Sequence, residues 1–388
     1  MYATRLRCIG CGTEYPLLPY YTCPGCDGLL DVCYDYQALK DHLQQRTEAF
    51  SGELLLPVAP QKLISLGEGR TPLVKANRLA QRLGLKNLWL KCESANPTGS
   101  FKDRPISVGV SKAVEFGFRQ VVVASSGNAA AAVAAYCARA GLAATILVPE
   151  STPAEKVKQT AAYGARVLKV PGPYSQSFHR AKEMADREQM FNLTTTFLNP
   201  YTVEGDKMIA FELWEQMNRS GPDVICVPFG AGPVLAGIWK GFVELRELGM
   251  ANVLPRIAGI QAAGCNPVAR AFQAGRSIVE PQTAPRTIAG GIGDGLDGYA
   301  QDGTYTLQKI RESSGFALDV SDRQILEAQA WLAKDEGILA EPSAAAGVAG
   351  LAKSLQTGQI GNRETVAVIL TGNGLKDLAS FDVMLENK

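Results

Sequence analysis

From Leu88 onward the chain alternates short apolar runs with longer segments of helical period. The runs are Leu88-Trp89-Leu90, Val121-Val122-Val123, Ala144-Thr145-Ile146-Leu147-Val148, Val167-Leu168-Lys169-Val170, Val224-Ile225-Cys226-Val227, Ile257-Ala258-Gly259-Ile260 and Val366-Ala367-Val368-Ile369-Leu370. Short unalternating runs separated by helices predict parallel strands covered on both faces, and the expected fold class is α/β. Ligands of such sheets gather beyond the carboxyl ends of the strands, so the residues after each run are the ones to inspect. Ahead of the first run, residues 50–72 read as a mixed linker with prolines at 57, 60 and 72 that discourage regular structure.

After Leu88-Trp89-Leu90 comes the turn-rich stretch from Ser94 to Arg104, which sets Lys102 at the start of a helix-like run. An ammonium facing the positive end of a helix dipole in a partly desolvated pocket loses proton affinity and becomes an amine nucleophile, suited to a Schiff base. Taken alone, it is more often a solvated lysine near a helix cap. After Val121-Val122-Val123, Ser125-Ser126-Gly127-Asn128 runs into an alanine-rich helix, where amides and hydroxyls can receive a carboxylate or simply cap the helix. Asn128 can also donate to a phenolic oxygen. After Val224-Ile225-Cys226-Val227, Gly230-Ala231-Gly232-Pro233 is a loop of phosphate size before another helix, although glycines also serve turns for backbone geometry alone. The last run ends in Thr371, a hydroxyl at a strand end.

The chain has 388 residues, 46% of them hydrophobic and 20% charged, enough for a large core in two or three domains. A net charge of +1 without a basic block points away from nucleic acid and membrane surfaces. No apolar run approaches the roughly 20 residues of a membrane span, and Met1 to Arg5 leads straight to cysteines, so a cytoplasmic protein is expected. Cys8-x-x-Cys11 and Cys23-x-x-Cys26 have the spacing of a four-thiolate zinc ribbon; a pair of disulfides or a ribbon packed without metal are the alternatives. Cys33, Cys92, Cys137, Cys226 and Cys265 sit in apolar surroundings and read as small core residues.

An amine, an asparagine, a glycine loop and a strand-end hydroxyl, each where an α/β sheet exposes its ligand-binding atoms, are what pyridoxal phosphate requires. The residues resemble the tryptophan-synthase-β-like (fold type II) pyridoxal-phosphate enzymes, and among them the threonine-synthase-like branch. The resemblance spans nearly the whole chain: the cysteine ribbon, Asn96 to Arg104, Ser125-Ser126-Gly127-Asn128, Asn199-Pro200-Tyr201, Glu204-Gly205, Glu341-Pro342 and Thr371-Gly372. It implies two parallel-type α/β domains with the cofactor in the cleft between them. Residues 1–50 would be the zinc-ribbon-like segment, 51–115 with 205–388 the large domain, and 116–204 the small one. Lys102 would carry the cofactor and shuttle the α-proton, Asn128 would hold its phenolic oxygen and Thr371 would meet its pyridine nitrogen. Phe101, Gly230, Ala231, Gly232, Pro233 and Val234 would complete the cofactor site. Ser125, Ser126 and Gly127 would hold the substrate carboxylate, and Thr196, Phe197 and Thr202 would line the distal end of the substrate.

The same resemblance marks departures. Relatives acting on O-phosphohomoserine commonly have Asn-Ser before and Arg after the Asn-Pro-Tyr segment, where this chain has Thr196, Phe197 and Thr202. Pro233 replaces a loop glycine, and Asn373 stands where histidine is frequent. A missing guanidinium deprives a phosphate of a charge-assisted hydrogen bond of roughly 1.5–3 kcal/mol. The charge would then come from Lys207 or Arg104, or from a rearranged Arg270 or Arg286. The implied activity is elimination from an activated amino acid followed by addition of a nucleophile, with O-phosphohomoserine and water foremost. A β-replacement on O-phosphoserine with sulfite, as in cysteate synthase, and a threonine or serine dehydratase are the alternatives, and the missing clamp favours a shorter, β-substituted substrate. A module that binds cofactor without catalysis would be expected to have lost the lysine. The expected partner is a small amino acid, with a homodimer as the assembly.

Overall fold

Each apolar run forms a strand, because β-branched residues pack well on a pleated surface, and all but the edge run Val167–Val170, which is only partly buried, are largely dry. The computed structural model describes residues 1–45, 50–172 and 174–386. In chain order the strands are β1 (Ala3–Cys8), β2 (Glu14–Tyr15), β3 (Leu30–Tyr34), β4 (Leu73–Lys75), β5 (Asn87–Lys91), β6 (Gln120–Ala124) and β7 (Ala143–Pro149). They continue with β8 (Arg166–Val170), β9 (Phe191–Asn192), β10 (Val224–Pro228), β11 (Arg256–Ala262), β12 (Phe316–Val320) and β13 (Thr365–Ile369).

The chain divides into two units, residues 1–68 with 102–208 and residues 69–101 with 209–388. The first holds a parallel sheet in the order β8-β7-β6-β9 and a three-stranded antiparallel sheet, β2-β1-β3. Val121, Val123, Ile146 and Val148 pack with alanines of the helix Asn128–Ala140 in one core. The second unit is a six-stranded sheet, β12-β11-β10-β13-β5-β4, parallel except for β4, which runs antiparallel to β5 at the edge. Its core joins Leu88, Leu90, Cys226, Ile260 and Val368 to the helix Pro342–Gln356. That helix sits close to the sheet, since a Cβ on Gly350 would overlap the side chain of Ile260. Among the described residues no helix is long and apolar enough to cross a membrane.

This division differs from the expected boundaries: residues 51–68, 102–115 and 205–208 lie with the first unit, and only 69–101 of the segment 51–115 lies with the second. The reason is packing. Ile106, Val110 and Ala113 of the helix Asp103–Glu115 enter the same core as Val121 and Val123. The helix Pro200–Asp206 then lies so close to it that a Cβ on Gly205 would collide with the carbonyl of Arg104. The runs also left strands unmarked. β4 and β9 are too short to form a pattern, and in β12 Asp319 interrupts the apolar sequence, its carboxylate accepting from Lys353 at 3.1 Å.

The cysteine-bearing segment is fastened to the first unit by polar groups. Tyr34 Oη donates to Glu204 Oε2 at 2.7 Å, and Lys207 Nζ reaches the same oxygen at 2.6 Å while lying 3.9 Å from the centre of the Tyr34 ring. Tyr201 Oη donates to the Leu18 carbonyl at 2.7 Å, and the Asn192 amide donates to Tyr21 Oη at 2.8 Å. The Glu204 and Lys207 side chains are fully buried, so each neutralises a charge the interior would otherwise reject. Replacing Lys207 by Met should therefore destabilise the protein by about 3–5 kcal/mol, with much of the loss recovered when Glu204→Gln is added. Urea denaturation measures both; a loss below about 1 kcal/mol for Lys207→Met alone would contradict the buried-pair account.

Candidate active site

In the first unit Lys102 occupies the N-cap of the helix Asp103–Glu115, the first residue after the chain leaves the second unit at Phe101. Its backbone is already helical (φ −59°, ψ −19°), and the buried carboxylate of Asp103 follows in the first turn, where the helix dipole favours negative charge. Lys102 Nζ donates to Thr195 Oγ1 at 2.8 Å.

Thr195 is a residue that sequence reading passed over. It is the middle of three consecutive threonines, and their hydroxyls have separate partners. Thr194 Oγ1 accepts from the amide of Ala124, at the end of β6, at 3.2 Å. Thr196 Oγ1 accepts from the Leu198 amide at 3.2 Å. Asn199 caps the helix Pro200–Asp206 by accepting from the Tyr201 amide at 3.1 Å, while its Nδ2 donates to the Asn192 carbonyl at 2.9 Å. Thr202 Oγ1 donates to the Asn199 carbonyl at 2.8 Å, and Phe197 is 3% exposed. Thus Thr196 and Thr202, expected at the distal end of a substrate, have hydroxyls engaged by nearby backbone, and Lys207 has its charge matched by Glu204.

Ser125, Ser126 and Gly127 follow β6 and lead to Asn128, the first residue of the helix Asn128–Ala140. Its N-cap residue, Gly127, offers no side-chain cap, and Ser125 Oγ accepts from the Gly127 amide at 3.2 Å. The segment joins the lysine through two bonds, Lys102 to Thr195 and Thr194 to Ala124, which seat both at the carboxyl end of β6.

In the second unit β10 ends in Phe229-Gly230-Ala231-Gly232, followed by the fifteen-residue helix Pro233–Glu247 with Pro233 at its first turn. The loop's carbonyls are tied back. Gln261 Nε2 donates to the Gly230 carbonyl at 3.2 Å and Thr306 Oγ1 to that of Ala231 at 2.7 Å. Among the described residues no acceptor takes up the amides of Gly230, Ala231 or Gly232. Gly232 has φ 106°, and a Cβ there would overlap Thr306. Val234, in the first turn, is buried. Buried loop amides at a helix N-terminus suit an anion.

After β13, Thr371 is 4% exposed and its carbonyl accepts from the Phe101 amide at 2.9 Å. Ser100 bridges to Gly372, against which the Glu341 carboxylate lies. Asn373 caps a short turn by accepting from the Leu375 amide at 3.0 Å, and its own amide donates to the Gly99 carbonyl at 2.9 Å. Arg270 and Arg286 are exposed.

The Cys8, Cys11, Cys23 and Cys26 sulfurs all lie within 4.8 Å of one another. Cys8 and Cys26 Sγ are 3.5 Å apart, and Cys11 and Cys23 Sγ 3.7 Å. Gly28 admits them: a Cβ there would stand 3.0 Å from Cys8 Sγ and 3.2 Å from Cys26 Sγ. Tyr15 Oη is 3.2 Å from Cys23 Sγ.

Comparison with known proteins interprets this arrangement. Residues 64–372 match the family model described as pyridoxal-phosphate dependent enzyme. The chain belongs to that family. It is 42% identical over 379 residues to the threonine synthase of Methanosarcina acetivorans, covering 96% of this chain and 92% of that one. It is 41% identical over 380 residues to the threonine synthase of Methanocaldococcus jannaschii, with the same coverage. Among solved structures, the processed form of threonine deaminase isoform 2 from Solanum lycopersicum superposes with a TM-score of 0.72, covering 91% of this chain and 88% of that one, at 23% identity. At that identity the likeness is one of fold, and the fold is type II.

As a pyridoxal-phosphate enzyme the chain has a phosphate to hold, and the Gly230–Gly232 amides have the chemistry to hold it. Replacing Gly232 by Ala should force the loop off Thr306 and out of its positive φ. The expected result is about 1–3 kcal/mol of lost stability and weakened retention of cofactor on dialysis. Retention equal to that of the unaltered protein would show that the loop does not bear on the cofactor.

The core cysteines have no chemistry to contribute. Burial pushes the thiol of Cys92 up to about 11 and those of Cys226 and Cys265 to about 12, and raises that of Cys137 further. A raised acid in the folded state keeps its proton where the unfolded chain has lost it. Stability from these thiols is therefore fully present below the ordinary thiol value of 9 and is lost as pH rises toward about 12. Alkylation of the folded protein at pH 8, followed by peptide mapping, should leave Cys92, Cys137, Cys226 and Cys265 unmodified.

Proposed function

We propose that the protein is a threonine synthase, turning O-phosphohomoserine and water into threonine and phosphate with pyridoxal phosphate bound through Lys102. The observation that carries this reading is the identity of 42% with a threonine synthase over 96% of the chain. When bound, the cofactor draws off the electron pair left at a carbon whose bond is breaking.

The protein's own groups have these parts. Lys102 holds the cofactor and moves the proton at the substrate Cα. Ser125, Ser126 and Gly127, before the helix Asn128–Ala140, receive the substrate carboxylate, which the helix N-terminus favours. Asn128 donates to the phenolic oxygen; Gly230, Ala231 and Gly232 donate to the phosphate, with Pro233, Val234 and Phe101 around them. Thr371 stands at the pyridine nitrogen, where a hydroxyl leaves the ring less protonated than a carboxylate would. Thr196, Phe197 and Thr202 form the distal wall. Residence in the cytoplasm and assembly as a homodimer accompany this reading.

Two expectations decide it. Lys102→Ala should abolish turnover and the yellow colour of the bound cofactor together; full activity with cofactor fixed by borohydride on another lysine would reject Lys102. The engaged hydroxyl of Thr202, where the family resemblance leads one to expect arginine, keeps a β-substituted substrate in contention. Rates should be compared on O-phosphohomoserine, O-phosphoserine with and without sulfite, threonine and serine. Threonine from O-phosphohomoserine should form fastest; a faster product from O-phosphoserine would move the assignment to β-replacement.

The four N-terminal cysteines are proposed to hold one structural zinc. Tetrahedral thiolates with Zn–S bonds of about 2.3 Å stand about 3.8 Å apart, close to the spacing of these sulfurs. Four protein ligands leave no open position for water, so the metal stabilises without catalysing. Metal analysis should find one zinc per chain, and its removal by chelator should lower the thermal midpoint. Protein purified without chelator and free of zinc would refute the site.

A further inference from the structure

The Lys102–Thr195 bond has a chemical consequence beyond the roles above. Lys102 must exist in two forms during turnover, joined to the cofactor and released from it, and only the released amine can move a proton at Cα. A released lysine side chain has four rotatable bonds and a strongly hydrated head, so its usefulness depends on something that holds it at a chosen place. Thr195 Oγ1 accepts from Nζ at 2.8 Å.

The acceptor is itself held by its neighbours. Thr194 bonds the loop to the end of β6, and Thr196 turns the chain by accepting from Leu198. Asn192 receives the Thr194 amide on its side-chain oxygen at 2.8 Å and is tied through its own amide to Tyr21. On the other side of the loop, Asn199 and Thr202 close the start of the helix Pro200–Asp206. Two of the three threonine hydroxyls thus serve the backbone, and the middle one serves the lysine.

We infer that Thr195 is a positioning residue whose hydroxyl holds the Lys102 amine while it is released from the cofactor, aiming its lone pair for proton transfer at Cα. This rests on the assignment of Lys102 given above. The transfer itself balances on two groups: the C–H bond at Cα breaks as an N–H bond forms on Lys102, and the electron pair stays with the substrate–cofactor side. Thr195 gains and loses no atoms. It contributes position, for which a misplacement of the order of an ångström costs on the order of 10²-fold in rate.

The test uses the holoenzyme with threonine in deuterated water, following exchange at Cα by NMR, together with borohydride fixation and peptide mapping. Thr195→Val keeps the shape and removes the acceptor; Thr195→Ser restores it. Exchange should slow by about 10- to 100-fold in the valine protein and return to within about threefold in the serine protein, with KM changed far less than kcat. A second readout needs no turnover. In cofactor-free protein, acetic anhydride should label Lys102 about tenfold faster after Thr195→Val, relative to the other lysines, because the hydrogen bond to Thr195 is gone. Cofactor fixed to a lysine other than Lys102 would overturn the assignment on which the inference stands. Cofactor fixed to Lys102, with exchange and labelling in Thr195→Val both within about twofold of the unaltered protein, would overturn the inference alone.

Discussion

The first unit is built around a close backbone approach, Gly205 against the carbonyl of Arg104. No side chain larger than hydrogen fits there, so the helix Pro200–Asp206 lies directly against the first turn of Asp103–Glu115, two residues from Lys102. The preceding loop inherits that position and brings Thr195 to the lysine. The residues beyond the helix inherit it as well, since Glu204 and Lys207 form the buried group to which Tyr34 is bonded. The position of the lysine, its acceptor and the attachment of the cysteine ribbon therefore share one steric origin.

The second unit obeys a different constraint, the need to satisfy every buried backbone group. In the glycine loop the carbonyls of Gly230 and Ala231 are taken by Gln261 and Thr306, which turns the amides the other way. Glu341 lying on Gly372 follows the same economy of space, because only a residue without a Cβ lets a carboxylate so near the backbone at the end of β13.

The departures at Thr202 and Phe197 take on a structural meaning beside this. A threonine bonded to the Asn199 carbonyl and a buried phenylalanine stabilise the loop and helix start, whatever they do for a substrate. Relatives named threonine synthase share about two-fifths of the sequence over almost the whole chain.

Much was determined by the sequence alone. The buried parallel strands were legible because unalternating apolar runs have one stable use in a chain of this composition. Lys102 before a helix, the glycine loop after β10 and the paired cysteines were legible because special backbone geometry and the convergence of four sulfurs demand particular residues at short spacing. The tertiary structure alone decided three things. It assigned the helix Asp103–Glu115 to the first unit, because that depends on which core its apolar face enters. It engaged Lys207 with Glu204 rather than leaving it to a phosphate, because burial removes the choice. And it singled out Thr195 among three identical neighbours, since which hydroxyl faces a lysine some ninety residues away in the chain is fixed by packing and has no local sequence signal.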